Sequence, residues 1–428
     1  ASLDRPKLRP VSVRRYDHAG QAFALLEDPL GIVADPVLIP LDGFHWVVRH
    51  FDGRTTLAEI QARILQGTGQ RVAPAELRRL VEQLDAAMIL DGPTFAAFCA
   101  AYRQERIRPP AHAGRSYAGS APALRAQLAR FFADARGSGP PDAGAGGGTA
   151  TGSLRGILSP HIDFDRGGPT YTWSYRALVE RSDAQTFVIL GVAHQYCAHR
   201  FALTRKDFQT PLGLARTESA YVDRVAAWAG EHLFDDELAH RTEHSIEFQV
   251  VFLQYLLGDR RDVSIVPILV GSFHDLMEAG IDPIADPEVR RFVEALRRAE
   301  AASGRTVAYI GGIDLGHVGR EFGDPDLLDP ATLAGLRAFD ATMLGHAAAG
   351  DPAAWFATAA AVDNRWRVCG LAATYTMLHA IGPAQGRLLK YDQAVNPERT
   401  CCVSFASLAF HGPESEAAPA DVPSRATA

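Results

Sequence analysis

The sequence predicts an α/β fold, in which a mostly parallel open sheet has helices on both faces, with a small N-terminal winged-helix-like domain. From about residue 154, apolar runs of strand length alternate with amphipathic stretches of helix length, the order in which parallel strands are joined by crossover helices. Residues 1–95 instead show a few helices around a small β element. The length of 428 residues also predicts two or three domains.

The first 95 residues carry clear helix signals. Thr56 and Glu59 have the spacing of a capping box, which predicts a helix as far as about residue 66. The stretch 73–76 (APAE) opens another helix, because apolar residues follow it at helical spacing. We also expect short strands at 23–26, 37–41 and 89–90, and an apolar helical stretch at 43–51.

The rest of the chain divides by composition. Residues 96–136 predict connecting helices and the start of the large domain, and Gly, Pro, Ala and Ser dominate 137–153, which predicts a flexible loop. The α/β domain is expected at 154–412 and a disordered tail at 413–428. Strands are predicted at 155–160, 186–192, 263–271, 306–312, 388–394 and 402–410, and helices at 94–106, 123–135, 171–181, 218–232, 244–258, 287–302, 330–348, 351–361 and 370–381.

Composition excludes several classes of protein. The hydrophobic share of 47% and the charged share of 22% are those of a soluble globular protein. The net charge of -7 gives no basic excess for nucleic acid or anionic membranes. No apolar run approaches the roughly 20 residues that cross a bilayer. The N-terminus lacks the apolar region of a signal peptide, and five cysteines, an odd number, favour a reducing compartment. We therefore expect a cytoplasmic protein.

Three potential metal ligands stand next to predicted strands or a predicted helix. His161 follows the run 155–160, His194 follows 186–192, and Cys369 precedes the helix predicted at 370–381. Side chains past the carboxyl ends of strands in an open α/β sheet converge on one ligand-binding crevice. Imidazole and thiolate groups are donors that late first-row metals prefer. The sequence therefore predicts a metal centre formed by these three residues.

These residues also have structural interpretations. A loop histidine is often a satisfied polar residue, and a free cysteine is among the most buried residue types. Two positions favour function: His194 leaves the most strand-like run of the chain, and Cys369 precedes a helix whose dipole favours thiolate. Cys401 and Cys402 begin an apolar strand, so we expect them in the core.

Further polar residues are candidates for catalytic roles. Asp314 and His317 follow the run 306–312, where a histidine could be a fourth ligand or a general acid and base. His244 and Glu247 share one face in the first turn of a predicted helix. The structural alternatives are a loop histidine bonded to Asp314 and a solvated helix terminus.

Taken in order, these motifs resemble the Memo family, the B component of the AmmeMemoRadiSam system, which is related to class III extradiol dioxygenases. The resemblance covers residues 111–412. The motifs that carry it are 112–117 (HAGRSY), 160–161 (PH), 190–194 (LGVAH), 210–212 (TPL), 243–247 (EHSIE), 266–271 (VPILVG), 314–317 (DLGH), 369–370 (CG) and 391–393 (YDQ).

The resemblance implies specific roles. The metal-binding histidines of the family correspond to His161 and His194, and its metal-binding cysteine corresponds to Cys369. The histidine that acts near the metal corresponds to His317, and the helix-opening histidine corresponds to His244. The implied cofactor is iron(II) or copper, with zinc as an alternative.

The chain departs from the family pattern in three places. Residues 162–168 (IDFDRGG) follow the first histidine, where the family often has small residues and Gly. Gln195 follows the second histidine, where another histidine is common. Cys369 stands where the related dioxygenases use a carboxylate ligand, which argues against ring cleavage and for a redox role with iron or copper.

Residues 20–93 resemble a PqqD-type winged-helix module, through 51–60 (FDGRTTLAEI) and 84–90 (LDAAMIL). This resemblance implies peptide binding, in which an extended peptide is added to a sheet edge. The alternative is a plain helical appendage.

Three functions follow as hypotheses. The first is an iron- or copper-dependent, O2-using oxidoreductase acting on a small molecule or peptide, in which His317 moves protons and His244 and Asp314 support the ligands. The second is a non-catalytic accessory protein that presents a peptide to a radical-SAM partner. The third is a zinc hydrolase, which ranks last because no glutamate is placed as in a His-Glu-x-x-His arrangement.

Overall fold

The computed structural model describes residues 3–33, 35–142, 154–258 and 263–413. Most of the predicted loop 137–153 and the predicted tail from 414 onward lie outside the described residues. The chain divides into two compact units. The small unit contains Ala1–Arg106, His194–Ala198 and Glu237–Thr242, and the large unit contains Ile107–Ala193, His199–Asp236 and Glu243–Ala428.

Among its described residues, the small unit combines a three-stranded antiparallel sheet with four α-helices. The strand order is β1-β2-β3. The elements are β1 Ser12–His18, β2 Gln21–Glu27, β3 Val37–Pro40, α1 Leu41–Trp46, α2 Leu57–Thr68, α3 Pro74–Ala86 and α4 Pro93–Gln104. Its core is formed by apolar residues of β2, β3, α2 and α3.

The capping box at the start of α2 forms as predicted. The hydroxyl of Thr56 accepts the N–H of Glu59 at 3.2 Å, and the carboxylate of Glu59 accepts the N–H of Thr56 at 2.7 Å. The prediction for 43–51 was wrong in length, because α1 ends at Trp46 and a 3₁₀ turn, Val48–His50, follows. The strand predicted at 89–90 is an isolated bridge. β1 was missed, because all seven of its residues are exposed and show no alternation.

The large unit alternates strands and helices. Its strands are β4 Ile107–Arg108, β5 Leu154–Ser159, β6 Thr186–Val192, β7 Phe201–Leu203, β8 Asp207–Thr210, β9 Gly213–Thr217, β10 Ser264–Val270, β11 Val307–Gly312, β12 His317–Val318, β13 Gln385–Val395 and β14 Cys402–His411. Its α-helices are α5 Ala121–Ala133, α6 Phe164–Arg181, α7 Ser219–Ala229, α8 His244–Leu257, α9 His274–Glu278, α10 Pro287–Ala301, α11 Pro330–Ala348, α12 Pro352–Ala360 and α13 Leu371–Ile381.

The eleven-stranded sheet is parallel at its centre. Its order is β12-β14-β5-β11-β6-β10-β9-β8-β4, with β13 paired to β14 and β7 to β10. β5, β11, β6 and β10 are neighbours in parallel register, and their near-continuous apolar runs are buried, as expected for strands covered on both faces. The predicted α/β fold is confirmed. The structure adds antiparallel pairing toward the edges, where β14 joins β5 and β13 joins β14.

Helices cover both faces of this centre. Gly311 and Gly312 are consecutive in β11, so side chains at these positions point to opposite faces. A Cβ at Gly311 would meet Met377 of α13, and one at Gly312 would meet Gln249 of α8. α13 and α8 therefore lie on opposite faces of the sheet.

One helix boundary differs clearly from the prediction. α6 begins at Phe164 rather than at 171, and Asp163 caps it by accepting the N–H of Arg166 at 3.2 Å. The sequence obscured this start because Gly167, Gly168 and Pro169 disfavour helix. The glycines are needed for packing, since a Cβ at Gly167 would lie 2.2 Å from Ile162.

The short strands β7, β8 and β9 were also missed, because three to five residues are too few to show a period. Among the described residues, no helix combines the length and the apolar character needed to cross a membrane.

Candidate metal centre

Three of the central strands lead into predicted site residues. β5 ends at Ser159, two residues before His161, and β6 ends at Val192, two residues before His194. β11 ends at Gly312, two residues before Asp314. Parallel strands carry their following residues to the same edge of a sheet, so these loops start side by side.

The structure brings the three predicted metal ligands together. His161, His194 and Cys369 each offer one ligand atom, and these atoms lie within 4.8 Å of one another. His161 is buried, Cys369 is half-buried and His194 is exposed. Two imidazoles and one thiolate at this separation form a donor set of the kind that copper, zinc and iron bind.

A backbone carbonyl orients the ring of His161. Its Nδ1 lies 2.9 Å from the carbonyl oxygen of Gly312. A carbonyl only accepts, so Nδ1 carries the hydrogen, and in the neutral ring Nε2 keeps its lone pair. That Nε2 lies 3.3 Å from Sγ of Cys369. The tautomer set by Gly312 is therefore the one that a metal ligand needs.

Cys369 is held at the site by close backbone packing. Its sulfur lies 3.6 Å from the carbonyl oxygen of Asp314, and the N–H of Gly370 donates to the same oxygen at 3.1 Å. A Cβ at Gly370 would lie 2.6 Å from Cβ of Ile313 and 2.7 Å from the Asp314 oxygen. The glycine in the Cys-Gly motif thus allows the segment before α13 to approach the loop after β11.

Asp314 organises the segment that carries His161. Its Oδ1 accepts the N–H of His161 at 3.0 Å, and its Oδ2 lies 3.7 Å from Nε2 of the same residue. Asp314 is 2% exposed. A buried carboxylate in this place orients the imidazole and adds negative charge that favours a bound cation.

His244 lies beside His161 at the start of α8. The two ring centroids are 5.2 Å apart and the rings are nearly perpendicular. Nδ1 of His244 lies 3.2 Å from Oε1 of Glu243, the oxygen that also accepts the N–H groups of His244 and Ser245. His194, Glu243 and His244 form another donor group that shares His194, again within 4.8 Å.

His317 has a defined tautomer as well. Its Nδ1 lies 3.0 Å from the carbonyl oxygen of Leu315 and 3.1 Å from that of Arg367. Both partners accept, so Nδ1 carries the hydrogen and Nε2 of the neutral ring can accept a proton. Arg367 in turn donates to the carbonyl of His317 and to the carboxylate of Asp324. His317 does not belong to the His–His–Cys donor group found among the described residues.

Glu247, paired with His244 in the sequence, has a structural role. Its fully buried carboxylate accepts hydrogen bonds from Arg108, from the hydroxyl of Tyr117 and from the N–H groups of Ala111 and His112. Burial alone would raise the pKa of Glu247, but the facing guanidinium and hydroxyl lower it below the usual value. Burial beside this carboxylate also raises the pKa of Tyr117. Glu247 is therefore a charged anchor for α8.

Two neighbours of the site, His112 and Glu243, were not predicted as site residues. The ring of His112 lies 5.6 Å from that of His244, and Glu243 caps α8 next to the same histidine. Both stand inside motifs that the sequence singled out, at 112–117 and 243–247. Only the fold shows that the two motifs meet. At the position of the family's additional histidine, Gln195 donates to the hydroxyl of Thr242 at 2.5 Å.

The fold and the donors together define an α/β protein with a candidate His–His–Cys metal centre past the carboxyl ends of a parallel sheet. The family model of the Memo-like proteins matches residues 108–409. The chain belongs to the Memo-like family, as its motifs predicted.

Similar proteins carry the same family name. A MEMO1 family protein of Aquifex aeolicus is 27% identical over 418 residues, which cover 95% of this chain and 100% of that protein. One of Methanopyrus kandleri is 29% identical over 313 residues, covering 71% of this chain and 98% of its own length. One of Thermococcus onnurineus is 34% identical over 227 residues, which cover 51% of this chain and 67% of that protein. The Aquifex match therefore includes most of the small unit.

Proposed function

We propose that the protein is a metal-dependent redox enzyme that uses O2, with iron(II) or copper held by His161, His194 and Cys369. The donor group itself carries the proposal: three ligand atoms lie within 4.8 Å, and the His161 tautomer presents Nε2. Two histidines with one anionic ligand leave positions open at iron(II), and His₂Cys sets bind copper. A bound metal would supply the one-electron chemistry that activates dioxygen.

The residues around the donors would bind, orient and move protons. Asp314 fixes the backbone of His161 through its N–H and balances positive charge at the site. Nε2 of His317 would take a proton from substrate and return it, because its Nδ1 hydrogen is held by two carbonyls. His244, restrained by Glu243, is a second proton carrier beside His161.

Oxygen uptake by the full chain tests this proposal. Protein purified without chelators and loaded with iron(II) or with copper is mixed with ascorbate as reductant, and O2 consumption is followed. We expect uptake that depends on loading and is lost in Cys369→Ser. His346→Ala is the matched control, since this half-buried histidine of α11 belongs to none of the donor groups among the described residues. Equal uptake by wild type and Cys369→Ser would contradict the proposal.

The edge of the small-unit sheet supports a second function, peptide presentation to a radical-SAM partner. β1 lies at the edge of the sheet, and its whole length is exposed. Val13 and Tyr16 on this strand are 43% and 41% exposed. An exposed strand edge offers unpaired N–H and carbonyl groups to which an extended peptide can be added.

Binding of labelled extended peptides, such as alternating Thr–Val sequences, tests the second function by fluorescence anisotropy. The double variant Val13→Lys, Tyr16→Lys should bind the peptide more weakly, because charged edge residues oppose strand addition. Leu65→Lys is the control, because Leu65 is equally exposed but lies on α2. The absence of saturable binding to wild type, or equal binding by all three proteins, would exclude strand addition at β1.

The zinc hydrolase is less well supported. A carboxylate does stand near the histidines, since Glu243 shares a donor group with His194 and His244. However, its Oε1 accepts two N–H groups at the start of α8. That oxygen is therefore occupied as the cap of α8, which leaves Glu243 poorly placed to act as the general base of a hydrolase.

A further inference from the structure

A second group of metal donors lies within the large unit. His199, His232 and Glu288 each offer one ligand atom, and these atoms lie within 4.8 Å of one another. The three residues come from separate parts of the chain. His199 stands two residues before β7, His232 is in the 3₁₀ helix Glu231–Phe234, and Glu288 is in the first turn of α10.

The two imidazoles lie close together. Their ring centroids are 4.6 Å apart, and the ring planes meet at 61°. The ring of His232 lies against the backbone of Gly230: a Cβ at Gly230 would be 2.4 Å from Nδ1 and Cε1 of His232. Gly230 has φ +131, a conformation that L side chains rarely adopt. The ring position thus depends on a glycine at 230.

Backbone bonds also hold the carboxylate of Glu288. Oε1 of Glu288 accepts the backbone N–H of Arg200 at 3.1 Å. The backbone N–H of Glu288 donates to the carboxylate of Asp286 at 2.9 Å, which fixes the start of α10. Oε2 lies 3.9 Å from Nε of Arg200. Each histidine and the glutamate are half-buried, so the three donors are partly shielded from solvent.

The surrounding charge favours a cation. His199 donates its backbone N–H to Asp236 at 2.8 Å, and its Nε2 lies 3.8 Å from Asp235. The nearby guanidinium of Arg200 is neutralised mainly by Asp275, through contacts of 2.8 and 2.6 Å. Carboxylates therefore exceed cations around the two imidazoles, an environment that stabilises added positive charge.

We propose that His199, His232 and Glu288 bind a second divalent cation of the zinc type, independently of the His161–His194–Cys369 centre. Two imidazoles and one carboxylate, with water as a fourth ligand, are a coordination set that zinc accepts. None of these three proposed ligands is a cysteine. The cation would join the segment before β7, the 3₁₀ helix and α10.

Cobalt(II), a spectroscopic substitute for zinc, distinguishes the two centres. A site that includes Cys369 gives a thiolate-to-cobalt charge-transfer band, whereas the second site gives only d–d bands. The test uses the metal-free full chain and a triple variant, His161→Ala, His194→Ala and Cys369→Ser. We expect this triple variant to lose the charge-transfer band and still to bind about one equivalent of cobalt or zinc.

Adding Glu288→Gln or His232→Ala to the triple variant should abolish that remaining equivalent, and adding His346→Ala should leave it unchanged. Glu288→Gln keeps the size of the side chain, so it decides the test if His232→Ala fails to fold, as judged by circular dichroism. A triple variant that binds no cobalt or zinc would overturn the proposal. Binding that survives Glu288→Gln undiminished would overturn it as well.

Discussion

The sulfur of Cys369 lies 3.3 Å from Nε2 of His161, although the two residues are 208 positions apart in sequence. The sheet brings the two residues together despite their separation in sequence. β5, which leads to His161, pairs in parallel with β11, which leads to Asp314, and the Asp314 carbonyl lies against Cys369 and Gly370. The contact between His161 and Cys369 therefore depends on one strand pairing and on one close backbone approach.

Gly370→Ala tests the close approach. A methyl group there would lie 2.6 Å from Ile313 and 2.7 Å from the Asp314 oxygen, so we expect a loss of about 1–3 kcal/mol in unfolding free energy, as for other overpacked sites. Metal content should fall with it, because Cys369 is displaced. Gly345→Ala in α11 is the control: nothing lies within 4 Å of its added Cβ, and it should stabilise the helix by about 0.5–1 kcal/mol. Chemical denaturation and metal analysis measure both. Unaltered stability and metal content in Gly370→Ala would contradict the described packing.

Arg108→Ala tests the anchor of α8. The side chains of Arg108 and Glu247 are fully buried, and removing one partner of a buried pair typically costs about 3–5 kcal/mol. The exposed pair of Arg205 and Asp223 is the comparison, and Arg205→Ala should change the unfolding free energy far less. Urea denaturation compares the two variants. Similar losses in both would show that the buried pair is not an anchor.

Asp340→Asn tests a buried acid on α11. Burial raises the pKa of Asp340 from 3.8 to about 6, against the opposing effects of the Ser404 and Tyr391 hydroxyls. The folded state therefore holds a proton that the unfolded state releases at lower pH, so Asp340 lowers stability as pH rises from about 4 to 6. At neutral pH, this raised pKa corresponds to a loss of about 3 kcal/mol in the free energy of unfolding.

Asp340→Asn should remove this part of the pH dependence and be more stable than wild type at pH 7. The hydroxyl of Tyr391 can still donate to the amide oxygen, as it does to the carboxylate at 2.8 Å. Denaturation curves at several pH values give the comparison. The free energy of unfolding of the variant minus that of wild type should grow as the pH rises. A difference that stays constant between pH 4 and 7 would exclude the raised pKa of Asp340.

Local signals made much of the fold predictable. The capping box of Thr56 and Glu59 starts a helix as expected, and the long apolar strands of the central sheet have near-continuous hydrophobic runs. The fully exposed β1 and the short strands β7–β9 carry no such period. The start of α6 was hidden because Gly167 and Gly168 serve packing rather than helix propensity.

The proximity of His161, His194 and Cys369 was predictable from the sequence, and the contacts around these residues were not. His161 and His194 follow buried strands and Cys369 precedes a helix, so topology alone predicts that they meet. The tautomer of His161 could not be predicted from the sequence, because it depends on the carbonyl of Gly312, which lies on another strand. The group of His199, His232 and Glu288 was likewise invisible in the sequence, since none of these residues directly follows a long buried strand.

X-ray absorption at the iron, copper and zinc edges, on this chain purified without chelators, tests the central claim most directly. We expect about one redox-active metal per chain with nitrogen and sulfur neighbours, a sulfur neighbour that disappears in Cys369→Ser, and loss of that metal in His161→Ala combined with His194→Ala. Wild-type protein that holds no stoichiometric iron or copper, or a metal whose sulfur neighbour remains in Cys369→Ser, would contradict it.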